Sequence, residues 1–143
     1  MPSHLMRFIG AGLLGTLAMT AVGVFVAPMM ALPAMNPADM LAGKMGGSLM
    51  LGWAGHLMIG VVLAIIYGTL LVARLPGPPV VRGALFSLMP WLIAQLVVMP
   101  MMGMPLFSGS AVMAGGSLLG HLVYGAVIGA VIGHAVTTDG IRA

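Results

Sequence analysis

Three stretches of this chain, residues 8–38, 45–73 and 83–138, contain no Asp, Glu, Lys or Arg. A bilayer core is crossed by an apolar helix of about 20 residues, so the first two stretches hold one helix each and the third holds two. The third breaks at Pro105, Phe107, Ser108, Gly109 and Ser110, where proline ends one helix and the Ser-Gly-Ser turn caps the next. Spans are therefore predicted near residues 5–29, 48–73, 83–104 and 112–136. With five basic and two acidic side chains among 143 residues, no water-facing surface can be built, and lipid is the expected solvent. The fold class that follows is all-α, a four-transmembrane-helix bundle.

The same scarcity of polar groups removes whole classes of function. There is no cysteine, which excludes disulfides, iron–sulfur clusters and zinc–thiolate sites. The acids, Asp39 and Asp139, both fall outside the spans, leaving no intramembrane carboxylate to couple protons or cations and no carboxylate pair for acid–base work. No phosphate-binding glycine loop or nucleophile–base set is present, and the basic residues form no cluster that could track a nucleic acid. The sequence thus offers no catalytic set. Its expected partners are the lipid bilayer and either other membrane helices or further copies of itself.

Orientation is read from the basic residues. Arg7, Arg74, Arg82 and Arg142 fall on one side of the predicted spans and Lys44 on the other. By the positive-inside rule this places the N and C termini in the cytoplasm of a bacterial inner membrane. Ala31-Leu32-Pro33-Ala34 resembles a signal-peptide cleavage site. The preceding apolar run is longer than a signal core, and its proline pattern recurs inside the chain, so a retained helix is expected.

That recurrence reads as an internal repeat of two helices, residues 1–75 and 80–143 of a single membrane domain. Pro28-Met29-Met30-Ala31-Leu32-Pro33 matches Pro100-Met101-Met102-Gly103-Met104-Pro105. Gly52, His56, Gly60, Ala64 and Gly68 recur as Ser117, His121, Gly125, Gly129 and Gly133, a spacing of four that puts each set on one helix face. The first half carries seven extra residues between its prolines and its histidine, around Asn36-Pro37-Ala38-Asp39. Asn36 suits a cap, Pro37 the first helical position and Asp39 the N-terminal dipole, which predicts a short interfacial helix. Two spans per repeat give both halves one orientation and put the two histidines at one depth, on the order of 12 Å into their helices at 1.5 Å per residue.

The chain resembles a family of small bacterial four-helix membrane proteins without an established activity. Gly55-His56-Leu57-Met58-Ile59-Gly60 and Gly120-His121-Leu122-Val123-Tyr124-Gly125 carry the resemblance, together with the Met-Pro end of the third span. It implies the four-span fold and brings no chemistry with it.

Three readings of the histidines stand side by side. In the first, each imidazole hydrogen-bonds across the bundle, to Thr16, Thr20, Gln95, a backbone carbonyl or the other histidine, and the glycines let helices approach. The protein is then a structural or assembly subunit. In the second, His56 and His121 are axial ligands of haem b in an accessory or redox-associated subunit, with Gly60 and Gly125 leaving room for the porphyrin. Direct contact between the two glycine faces would close that room. In the third, copper is held by His56 and His121 with thioethers, Met29, Met30, Met101, Met102 and Met104 being the first to suspect. Most of the 16 methionines do fall between residues 29 and 58 or 99 and 113, although methionine is also a common apolar filler. His4 and His134, at the cytoplasmic ends, carry less weight.

Overall fold

The computed structural model describes the backbone of residues 2–139 and the side chains of residues 4–133. Arg142 and the side chain of His134, both part of the sequence reading, lie outside these. The described chain is all-helical. Helix α1 runs from Pro2–Ala21 through a π-helical turn, Val22–Val26, to Ala27–Met29; α2 is Pro37–Lys44; α3 is Leu49–Ile66, continued by the π-turn Tyr67–Leu71. Helix α4 comprises Pro79–Ile93, the π-turn Ala94–Val98 and Met99–Met101, and α5 is Ala111–Asp139. Four segments, His4–Met29, Leu49–Leu71, Pro79–Met101 and Ala111–Gly133, are long and apolar enough to cross a membrane.

Local sequence explains the irregularities. Pro28 and Pro100 have no N–H to give, and their rings would strike the carbonyls four residues back, at Val24 and Leu96. Both carbonyls lie inside a π-turn, where the helix widens to make room. Helix α2 starts as its sequence asks: Asn36 accepts from the Ala38 N–H at 3.1 Å, Pro37 occupies the first turn, and Asp39 follows. Helix α4 begins at Pro79, earlier than the charge-free run suggested, because proline suits a first turn and Arg82 rides inside it.

The four long helices do not pack as a closed square. Helix α1 lies against both α3 and α5, and α4 lies against α5, while α2 crosses the start of α3. Helices α3 and α4 approach closely only at the Tyr67–Leu71 end, where the Tyr67 and Phe86 ring centroids are 5.2 Å apart. The apolar core, with Ala11, Ala64, Tyr67, Phe86, Tyr124, Ile128 and Ile132, sits toward that end. Toward the α2 end the interior is left open, and the outer faces carry exposed apolar side chains such as Phe25, Met50 and Leu70. Such faces suit lipid contact.

Candidate functional site

The glycine stripes do not meet each other. A Cβ on Gly12 would stand 2.6 Å from Val61 Cα, and one on Gly60 would fall on the Thr16 hydroxyl, so the first stripe seats α3 on α1. A Cβ on Gly83 would fall on the Gly125 carbonyl oxygen, and one on Gly125 would stand 2.7 Å from Ser87 Cβ, so the second stripe seats α5 on α4. Gly52 takes the Ala38 carbonyl of α2, and Gly68 takes the Phe8 ring. These approaches are made within the chain, and the histidine of each stripe sits beside its contact at the edge of the interior.

There, His56 and His121 line one cavity of about 250 Å³. Helix α1 contributes Thr16 and Met19, α3 contributes Ile59 and Leu63, α4 contributes Pro90, Ile93, Gln95 and Met99, and α5 adds Ser117 and Tyr124. Met35, Pro37, Met40 and Leu41 from α2 and the loop before it cover the end of the cavity nearest α2. Thus the structure brings His56, His121, Gly60 and Met102 of the sequence-derived set to one cavity, with Gly125 turned away against Gly83. Met29, Met30 and Met101 are exposed, at 85%, 58% and 78% of their surface, and they and Met104 lie outside the lining. The thioethers in the lining belong to Met19, Met35, Met40, Met99 and Met102.

Hydrogen bonding fixes which nitrogen of each ring is occupied. Thr20 Oγ1 donates its one proton to the Thr16 carbonyl at 2.9 Å and lies 2.9 Å from His56 Nε2. While that bond stands, Thr20 can only accept from His56, so Nε2 carries the hydrogen and the neutral ring keeps its lone pair on Nδ1; a hydroxyl turned to Nε2 instead reverses the two nitrogens. His121 Nδ1 lies 2.8 Å from the Ser117 carbonyl, which can only accept. Nδ1 therefore donates, and the neutral ring keeps its lone pair on Nε2. Of the partners expected for the histidines, Thr20 and a backbone carbonyl are the ones used.

A second polar set flanks the rings. Gln95, 1% exposed, donates from Nε2 to Ser117 Oγ at 3.2 Å and accepts at Oε1 from Ser108 at 3.0 Å. Phe107 and Ser108 have φ of 53° and 58°, a left-handed conformation that costs a non-glycine residue about 1 kcal/mol or more. The Gln95 bond and the packing of Phe107 on Trp91, centroids 6.0 Å apart, hold them there. Trp91, mid-helix and unlike an interfacial tryptophan, donates to the Ala114 carbonyl at 3.2 Å. Tyr124 donates to the Gly60 carbonyl at 2.6 Å and so ties α5 to α3. Sequence reasoning named Gln95 only as a histidine partner; its pairing with serines remote in sequence left no local signal.

Chemically, the cavity offers two imidazole lone pairs, thioethers and one primary amide, with no charged side chain in its lining. Among the described residues, no three of His, Cys, Asp and Glu gather as a metal site. No curated protein and no solved structure matches the chain. Residues 3–142 match a family described as of unknown function (DUF6789), and the chain belongs to it.

Proposed function

We propose that this member of a family of unknown function is a multi-pass inner-membrane binding or accessory protein, with no catalysis of its own, whose site is the cavity between His56 and His121. One observation carries the reading. Two imidazoles from different helices reach a single cavity, each with one nitrogen held by a protein oxygen and the other nitrogen without a protein partner. Intramembrane ionisable residues mark functional sites by default, and here the glycine contacts that would serve a structural subunit are spent inside the chain. We take the chain as one membrane domain of two tandem repeats, residues 1–75 and 80–143, with both termini cytoplasmic on the strength of Arg7, Arg74, Arg82 and Arg142. Reporters placed after Gly77 and inserted near Gly43 should then read from opposite sides, and the reverse assignment would reject the orientation.

Copper is the second reading, favoured by the five thioethers beside the imidazoles, since thioether and imidazole suit Cu(I). Haem b is the third reading: the histidine pair suggests it, but His56 would have to release Nε2 from Thr20 to ligate through it, and a cavity of about 250 Å³ is too small for a porphyrin unless the helices part. The protein purified in mild detergent separates these. A Soret band lost in His56→Ala or His121→Ala assigns haem; copper retained by the wild type and lost in the histidine and Met99→Leu variants assigns copper. Histidine variants that retain every ligand bound by the wild type would remove the cavity as the site.

A further inference from the structure

Three properties of the cavity bear on what occupies it. The first is charge. No Asp, Glu, Lys or Arg lines it, so an ion held there would have no counter-charge in a low-dielectric interior, which favours a neutral occupant. The second is hydrogen-bonding sense. His121 Nε2 accepts, and His56 Nδ1 accepts as long as Thr20 keeps its bond to the Thr16 carbonyl, so the complementary molecule donates twice. Gln95 has one amide hydrogen beyond that given to Ser117, which serves an oxygen of the occupant.

The third property is access. Helices α3 and α4 stay apart above the Tyr67–Phe86 contact, and two residues of the lining, Ile59 and Ile93, are 46% and 47% exposed at the rims of that gap. The cavity therefore opens sideways, onto the surface that faces lipid. Its size also selects. A cavity of roughly 150 Å³ accommodates benzene, so about 250 Å³ takes one substituted ring with the remainder of the molecule outside.

Resting on the reading of this cavity as a ligand site, the geometry points to a lipid-phase hydroquinone as its occupant. The ring sits between the histidines, its two hydroxyls donate to His56 Nδ1 and His121 Nε2, and its apolar tail leaves between Ile59 and Ile93. The reduced form fits better than the oxidised form, because quinone oxygens only accept: one would face the His121 lone pair, and the other is met at His56 only when Thr20 gives up its bond to the Thr16 carbonyl. The site thus holds the reduced carrier in preference to the oxidised one.

The test is anaerobic calorimetric titration of the full chain in dodecyl maltoside with decyl-hydroquinone and, separately, with the corresponding quinone, each corrected for partition into empty micelles. The hydroquinone should bind at one equivalent and roughly tenfold more tightly than the quinone, the scale of one or two hydrogen bonds in a membrane interior. His121→Phe keeps a ring and loses only a bond within its own helix, so it should remain monodisperse, weaken the hydroquinone several-fold and erase the preference. Ile59→Trp and Ile93→Trp should weaken both forms by narrowing the gap. Equal affinity of the wild type for both forms overturns the proposal without any variant, as does a preference that survives His121→Phe. Haem or copper in the purified protein also overturns it and leaves the cavity as the site. If no probe binds, no cofactor is found and the histidine variants change nothing, the site reading falls with it.

Discussion

In the hairpin of α1 and α3, Gly12 lies under the Val61 backbone and Gly60 faces the Thr16 side chain; in that of α4 and α5, Gly83 and Gly125 lie backbone to backbone, with Gly129 against Pro79 and Gly83. Both pairs use small residues to bring helices together where lipid supplies no hydrophobic drive. The polar wiring above these contacts differs. His56 bonds across to Thr20 of α1, whereas His121 bonds to the Ser117 carbonyl of its own helix and leaves the link to α4 to Gln95. One hairpin uses its histidine as a fastener between helices. In the other the fastener is a glutamine, and the second imidazole is bound only within its helix.

The largest effect that could break this comparison is at the glycines. A Cβ at Gly83 meets the Gly125 carbonyl and stands 2.7 Å from Gly129 Cα, all backbone, so nothing can rotate out of its way. At Gly60 the first obstacle is the Thr16 hydroxyl, a side-chain atom with other rotamers, although the Gly12 carbonyl follows at 3.2 Å. Gly83→Ala is therefore expected to cost about 3 kcal/mol or to prevent a monodisperse protein, and Gly60→Ala about 1 to 2 kcal/mol, the range for overpacked contacts. Unfolding in detergent ranks them. A reversed order would mean that the first hairpin is the tighter one.

How far the sequence anticipated this arrangement depends on the range of the interaction. The four long helices and α2 were legible because charge-free length and the Asn36-Pro37-Asp39 start are local signals. The charge-free run places the start of α4 just after Arg82, whereas Pro78 and Pro79 set the boundary, because proline suits a helix start and a single arginine does not prevent one. The stripes announced a close approach and left its partner open, since small residues specify a distance and carry no address. For the same reason Met29, Met30 and Met101 of the repeated Pro-Met-Met motif point outward, while Met19, Met35 and Met102 reach the cavity. The left-handed Phe107 and Ser108 had no glycine to signal them, because a tertiary bond to Gln95 enforces that conformation.

A middle-sized effect sharpens the contrast between the histidines. His56 is 7% exposed and fastens two helices, so His56→Ala should cost about 1 to 2 kcal/mol, the scale of an interhelical hydrogen bond in lipid. His121→Ala breaks only a bond within its own helix, and its expected cost is under about 0.5 kcal/mol, below the mean for such bonds. Denaturation of both variants without added ligand provides the measurement, with His56→Asn testing whether a shorter donor restores part of the loss. Equal costs would show that the two imidazoles are structurally equivalent after all, and would weaken the assignment of His121 as the one bound only within its helix.

The smallest expected effect supplies the reference against which the other two are read. Gly10 and Gly115 lie inside α1 and α5, and a Cβ at either would meet nothing within 4 Å. Neither takes part in the contacts that close the hairpins, so Gly10→Ala and Gly115→Ala should be neutral or stabilising, by up to about 1 kcal/mol from helix propensity. Gly77 is the wrong reference even though it sits in the turn between the hairpins. Its φ of +95° is a conformation that an L side chain rarely adopts, and Val81 Cγ1 stands 3.2 Å from where the Cβ would be. Gly77→Ala should therefore destabilise by about 1 kcal/mol, through backbone strain, with the helix contacts intact. If Gly10→Ala or Gly115→Ala costs as much as Gly60→Ala, the loss at Gly60 reflects a general intolerance of these helices to added volume, and the distinction between a seated and an unseated glycine disappears.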